Sequence, residues 1–210
     1  MKVVIVDCGS GNLNSVYRSL DIAGKNLRNF KIKISNSPKE ILSADKIVLP
    51  GQGSFRQCVQ SILKKKDLWE TLDFFVVKKR KSIFGICVGM QLFSTVGYEE
   101  KKTKGFGWID GKVEKIEFNK KKFNLPHMGW NNIMILNKKN IFHGIKQNMH
   151  FYFIHSYEIK GVNPKYVLAE VNYGKQIVAS VCKDHIFGTQ FHPEKSQVAG
   201  IKILSNFLKI

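Results

Sequence analysis

The sequence predicts an α/β protein: an open, mostly parallel sheet with helices on both faces, carrying antiparallel hairpins in the second half of the chain. Three patterns predict it. Through residue 95, short apolar runs alternate with amphipathic stretches of helical period, and strands alternating with helices imply right-handed crossovers onto a parallel sheet. From Gly107 onward, strand-like runs follow one another across turn residues. The apolar runs at Lys2–Asp7, Lys46–Leu49 and Ser82–Ile86 each lead into a glycine-containing loop, and an open parallel sheet collects its chemistry outside the carboxyl ends of its strands.

In chain order, Lys2–Asp7 reads as the first strand, too short and too soon acidic for a signal peptide. Asn12–Ala23 has helical spacing through Leu13, Val16, Leu20 and Ala23, and Gly24 is its expected stop. Phe30–Ile34 is a strand, and Lys46–Leu49 is a buried strand that Pro50-Gly51 ends. Phe55–Lys64 and Leu68–Lys79 are helical in period. Ser82–Ile86 is another apolar strand, followed by a helical Met90–Ser94. In the second half, Gly107–Phe118, Asn131–Leu136, Phe151–Ile159, Tyr166–Val171, Ile177–Cys182 and Ile186–Phe191 are strand-like. Gly200–Leu208 closes the chain as a helix, with Ile201, Leu204, Phe207 and Leu208 on one face.

Residues 1–210 are expected to form one domain, since no linker or repeat divides them. Apolar residues at 43% and charged residues at 24% are ordinary for a globular chain and exclude disorder, collagen and a disulfide-built miniprotein. No apolar run approaches the ~20 residues of a membrane helix. Charge is the anomaly: 34 basic against 16 acidic side chains leave a formal +18. The excess is mostly lysine, scattered in tracts such as Lys64-Lys65-Lys66, Lys78-Lys79-Arg80-Lys81, Lys101-Lys102, Lys120-Lys121-Lys122 and Lys138-Lys139. Only Phe118 and Phe123 adjoin them, which is no stacking platform for single strands. The expectation is no nucleic acid and no membrane. Cys8, Cys58, Cys87 and Cys182 show neither CxxC nor zinc spacing, so they read as reduced thiols of a cytoplasmic protein without a metal site.

Cys87 stands apart. Gly85-Ile86-Cys87-Val88-Gly89 lies between a strand and a helix, the cysteine version of a nucleophile elbow. The competing reading is a buried cysteine at a strand end. A helix N-terminus behind Cys87 would favour the thiolate. In His192-Pro193-Glu194 an extended backbone places residues i and i+2 on one face, so the carboxylate can set the tautomer of the imidazole. That imidazole can deprotonate a thiol and later protonate a leaving amine. His-x-Glu alone is also a turn with a surface acid; with a cysteine elbow, and Gln190-Phe191 before it, the combination is strong. The glycines of Pro50-Gly51-Gln52-Gly53 suit a backbone that approaches a ligand, where its N–H groups and that of Val88 would form an oxyanion hole. From composition alone the same loop is equally a plain turn.

These residues carry a resemblance. Asp7-Cys8-Gly9-Ser10-Gly11-Asn12-Leu13, Leu49-Pro50-Gly51-Gln52-Gly53-Ser54-Phe55, Gly85-Ile86-Cys87-Val88-Gly89-Met90-Gln91-Leu92, Pro126-His127-Met128-Gly129-Trp130-Asn131, Tyr152-Phe153-Ile154-His155-Ser156-Tyr157 and Gln190-Phe191-His192-Pro193-Glu194-Lys195-Ser196 cover nearly the whole length. Together they resemble the class I (triad) glutamine amidotransferases, of flavodoxin-like fold, and among them the glutaminase subunits of imidazole glycerol phosphate synthases. The resemblance implies Cys87 as nucleophile, His192 as base and acid, and Glu194 as its orienting carboxylate. It implies Val88 and Gln52 as oxyanion donors, Gln52 standing where the family more often has valine. Gly51, Gly53, Gln91, Glu99, Ser156 and Tyr157 are implied to bind glutamine; Glu99 rather than Glu100 follows from the spacing to Cys87. Cys8 replaces the family's usual aromatic or small residue.

The same resemblance implies a heterodimer with a (β/α)₈-barrel cyclase that receives the ammonia, with Asn12, Met128, Trp130, Tyr152 and Lys195 near the interface and no cofactor. Core packing is the competing role for Trp130 and Tyr152. The remaining histidines, His127, His143, His150, His155 and His185, have no metal-ligand spacing and default to core or surface. Two other functions stay open on the sequence. One is a paralogous glutaminase feeding a different synthase, such as a sugar amidotransferase of surface-polysaccharide synthesis. The other is a non-catalytic binding module on the same fold, against which an intact Cys87, His192 and Glu194 argue.

Overall fold

The computed structural model describes residues 1–9, 12–118, 123–138 and 140–210, with the side chain of residue 140 left aside. Ser10 and Gly11 of the first loop, the Lys120-Lys121-Lys122 tract and Lys139 lie outside the described residues. The elements are β1 (Lys2–Val6), α1 (Leu13–Gly24), β2 (Lys31–Ser35), α2 (Pro38–Leu42), β3 (Lys46–Gly51), α3 (Phe55–Leu63), α4 (Leu68–Asp73), β4 (Ser82–Cys87), α5 (Val88–Gln91), β5 (Val96–Gly97), β6 (Thr103–Lys104), β7 (Lys112–Lys115), β8 (His127–Ile135), β9 (His150–His155), β10 (Tyr157–Lys160), β11 (Val167–Asn172), β12 (Gln176–Lys183), β13 (Ile186–Thr189) and α6 (Gln197–Lys209).

Among the described residues, nine strands form one sheet in the order β2-β1-β3-β4-β13-β12-β11-β8-β9. Its first five strands are parallel and the rest antiparallel. The hairpins of the second half therefore continue the sheet. A second, four-stranded sheet runs β10-β7-β5-β6. The helices fall into two packed groups, α1 with α6, and α2 and α3 with α4. Strands covered on both faces read as unbroken apolar runs, and Val3–Val6 of β1 and Ile47–Leu49 of β3 are fully buried. No helix among the described residues is long and apolar enough to cross a membrane.

Several elements differ from their sequence reading, and β8 begins at His127 rather than Asn131. Gly24 does not stop α1; it lies in the last turn, where a Cβ would run into the Phe30 ring. The helix expected to Lys79 is α-helical only to Asp73, then widens into a π-turn over Phe74–Lys78. That turn buries Phe75 and Val76 and leaves Phe74 and Val77 exposed. Gly107–Phe118 yields only the four residues of β7, because Gly107 and Gly111, both at positive φ, bend the chain before it. Phe151–Ile159 is two strands in two sheets: the chain leaves β9 and enters β10 at Ser156, whose carbonyl accepts the Ile116 N–H. Three short elements, α2, β5 and β6, are too brief for periodicity to show.

Candidate active site

The loops after β3 and β4 emerge side by side, because Gly51 and Cys87 are register partners in the parallel ladder. Cys87 ends β4 and caps α5 with φ 55° and ψ −114°, a conformation that costs a non-glycine residue energy and persists where the surroundings hold it. They hold it through contact. A Cβ on Gly89 would collide with the Leu49 carbonyl, and one on Gly51 with the Gly89 N–H. The strand and the turn thus touch backbone to backbone, which only glycine permits. The α5 helix starts directly at Val88, two residues before the expected Met90, and is four residues long. So short a helix has little dipole to offer a thiolate. The polar support comes from Gln190, fully buried, whose Nε2 donates to Cys87 Sγ at 3.6 Å.

Glu194 reaches His192 by a different backbone from the extended one expected. His192 is extended and caps a 3₁₀ turn, Pro193–Lys195, that carries Glu194 back under the ring. The result is a 2.7 Å contact between His192 Nδ1 and Glu194 Oε1, with both side chains almost wholly buried. The segment is pinned by the His192 N–H to Tyr152 O (2.9 Å) and by Ser196 Oγ to His192 O (2.6 Å). Burial pushes the imidazole down, but the neighbouring Cys87 sulfur and then the Glu194 carboxylate outweigh it and raise His192 to about 10. Its Nε2 is buried with no hydrogen bond of normal geometry among the described residues. Catalytic hydrogen bonds are commonly long before substrate arrives.

These groups face a cavity of about 410 Å³. Cys87, His192, Val88, Gly51, Gln52, Gly53, Gln91, Glu99, Ser156, Tyr157 and Lys195 all line it, and Glu194 stands behind His192. Gln91 is buried, and its Nε2 donates to Tyr157 O (3.0 Å) and Gln190 Oε1 (2.9 Å), which leaves Oε1 as the group it can offer an ammonium. Glu99 Oε2 accepts the Phe55 N–H at the start of α3 (2.6 Å). Burial raises the Glu99 pKa, the Phe55 N–H counters it, and Glu100 adds to the rise. Glu100 itself points to Arg56 at 3.8 Å on the surface. The Gln52 carbonyl accepts from Cys58 Sγ at 3.4 Å, which turns the Gly53 N–H of the same peptide the opposite way.

Of the residues expected near an interface, Asn12, Met128, Trp130 and Lys195 are exposed and Tyr152 is half-buried. Trp130 and Tyr152, opposite one another on β8 and β9, meet edge to face at 6.1 Å, and Lys195 Nζ lies 5.6 Å from the Tyr152 ring. Trp130 is thus not core. Sequence reasoning gives neither Gln190 nor His155 a role. Gln190 adjoined the His-Pro-Glu element, which was the available signal; His155, which lines the cavity, was assigned by default to core or surface.

The family model for glutamine amidotransferase class-I matches residues 4–210. A relative from Pelagibacter ubique (strain HTCC1062), imidazole glycerol phosphate synthase subunit HisH, is 49% identical over 210 residues, covering 100% of both chains. The subunit of that name from Bradyrhizobium diazoefficiens is 40% identical, covering 100% of this chain and 99% of its own. Among solved structures, a glutamine amidotransferase superposes with a TM-score of 0.72 at 17% identity, over 98% of this chain and 97% of that one. Another, from Thermotoga maritima, gives 0.62 at 13% identity, over 100% and 96%.

Proposed function

This chain belongs to the class-I glutamine amidotransferases, and on that premise we propose that it is the glutaminase subunit of an imidazole glycerol phosphate synthase, residues 1–210 acting as one cytoplasmic domain. The observation that carries the reading is the convergence of Cys87, His192 and the Gly51–Gly53 loop on one cavity, with Glu194 bonded to the imidazole behind it. The two full-length relatives add the choice of synthase.

Glutamine enters with its α-ammonium toward Glu99 and Gln91 Oε1, and its α-carboxylate against the backbone of Gly53, Ser156 and Tyr157. Cys87 Sγ attacks the side-chain amide carbon while His192 holds the thiol proton. The tetrahedral oxyanion is held by the N–H groups of Val88 and Gln52. As the C–N bond breaks, the imidazolium gives its proton to nitrogen and ammonia leaves a thioester on Cys87. Water, deprotonated by His192, then attacks the thioester. The proton returns to sulfur and glutamate departs. Glu194 keeps Nδ1 protonated throughout, so that Nε2 is always the working nitrogen. No cofactor takes part.

Ammonia serves synthesis only if it is captured before it escapes. The partner is a (β/α)₈-barrel cyclase in a heterodimer, docked over Asn12, Met128, Trp130, Tyr152 and Lys195 beside the cavity. The test is glutamate release from glutamine by the chain alone, and then with the cyclase and its nucleotide ligand. Strong stimulation by the loaded cyclase is expected, together with loss of activity in Cys87→Ser while cyclase binding is retained. No stimulation, with a Cys87 that still reacts with an alkylating agent, would move the protein to another synthase. An unreactive Cys87 would leave a binding module.

A further inference from the structure

We propose that His127 and His155 are positioning residues: they form a buried chain with one self-consistent proton arrangement that holds the Tyr157 carbonyl at the wall of the glutamine cavity. The inference rests on the glutaminase reading above.

The arrangement follows from its two ends. His155 Nδ1 lies 2.9 Å from Tyr157 O, and a carbonyl can only accept, so Nδ1 carries the proton. A neutral His155 then has its lone pair on Nε2, which lies 2.9 Å from His127 Nδ1. His127 Nδ1 must therefore be the donor, and His127 Nε2 the acceptor. Asn131 Nδ2, 3.2 Å away, supplies that hydrogen, and its other hydrogen goes to Asn172 O at 3.1 Å. Both ends of the chain are backbone carbonyls, and every intermediate atom has one compatible role. A second proton on either ring would set two N–H groups against each other.

Packing fixes the rings as the hydrogen bonds fix the protons. His127 is stacked between Phe153 (4.7 Å) and Tyr173 (4.0 Å). Burial pushes His127 down to about 4. It also pushes His155 down to about 3, opposed by the Tyr157 carbonyl and reinforced by His127 and His192. Neither ring has a reason to charge at neutral pH, so the pair serves geometry rather than proton transfer.

The held carbonyl matters because it is shared. Tyr157 O also accepts from Gln91 Nε2, which donates to Gln190 Oε1, and Gln190 Nε2 reaches Cys87 Sγ. Without a donor at His127, His155 is free to move its proton to Nε2. Its Nδ1 lone pair would then face the Tyr157 oxygen, and the Ser156–Tyr157 backbone would be pushed out of place.

The test combines tautomer spectroscopy with kinetics in the cyclase complex. In ¹⁵N-histidine-labelled protein, long-range ¹⁵N–¹H correlation spectra are expected to show two histidines fixed as Nδ1–H tautomers from pH 6 to 8. His127→Leu should shift His155 toward the Nε2–H form and raise the glutamine KM about tenfold, with kcat falling less than about threefold. His127→Asn places an amide donor where Nδ1 was and should keep both the tautomer and KM close to wild type. A wild-type His155 that is cationic or Nε2-protonated at pH 7 overturns the proposal without any variant. So does a folded His127→Leu with unchanged KM, or a His127→Asn as impaired as the leucine variant. Absence of activity in the wild-type complex would be the failure of the glutaminase reading instead.

Discussion

His127 and His155 have a thermodynamic signature as well as a geometric one. Their folded pKa values lie below the ordinary 6.5, so the unfolded chain takes up protons first as the pH falls. The stability they contribute is complete above pH 6.5 and is lost below it, until about pH 4 for His127 and about pH 3 for His155. Each costs at most about 1.4 kcal/mol per pH unit in that window. His192 shifts the opposite way. Its raised pKa adds stability that is fully present below pH 6.5 and lost only as pH rises toward 10, so it is silent in the acid window. Urea unfolding at pH 6.5 and 5.0 should therefore show a drop in stability that His127→Asn roughly halves; a variant with the wild-type drop would contradict this. The motif residues themselves were legible, because Cys87, His192 and Glu194 stand in short spacings with glycine and proline around them. Gln190, His127 and His155 were not. A glutamine or histidine acquires its role here from partners as many as 103 residues away, and spacing along the chain carries no trace of that.

At the scale of elements, the site depends on two backbones in contact. The β3 end and the β4–α5 turn approach so closely that Gly89 has no room for a side chain. Gly89→Ala should destabilise the protein by about 3 kcal/mol or more, since the obstacle is the Leu49 carbonyl and not a side chain that can rotate away. Thermal melting and glutamate release would report it together; a stable, active Gly89→Ala would show that the elbow has slack. The parallel strands were readable because burial on both faces leaves continuous apolar runs. The break at Ser156 was not, because β9 and β10 are each apolar enough to read as one run. What separates them is that one pairs with β8 and the other with β7. Gly24 misled for a related reason: helix-ending glycine and close-packing glycine look alike in sequence.

For the whole molecule, the fold class was legible from alternation alone, and the proposed docking surface only in part. Met128 and Trp130 stand at i and i+2 on β8 and are exposed at 63% and 47%, while His127 and Ile133 on its other face are buried. The cyclase should cover this stripe, and Trp130→Ala should weaken its binding at least tenfold, measured by calorimetry. The formal +18 charge suits an acidic face on the cyclase, and steering toward such a face predicts an association rate that falls as salt is raised; a salt-independent rate would remove that electrostatic contribution.

Trp130 also makes docking visible in light. The three tryptophans differ in exposure: Trp108 is buried, Trp69 half-buried and Trp130 exposed. Trp69 and Trp108 sandwich Phe106 at ring separations of 4.0 and 4.1 Å, and Trp108 is only 5% exposed. Trp130 stands in water on the far strands of the sheet. Excited at 295 nm, the unbound protein should emit a red-edge component that acrylamide quenches strongly and a blue component that it quenches less. A tryptophan-free cyclase should abolish the first and leave the second unchanged, so that one cuvette holds both the reporter and its internal reference.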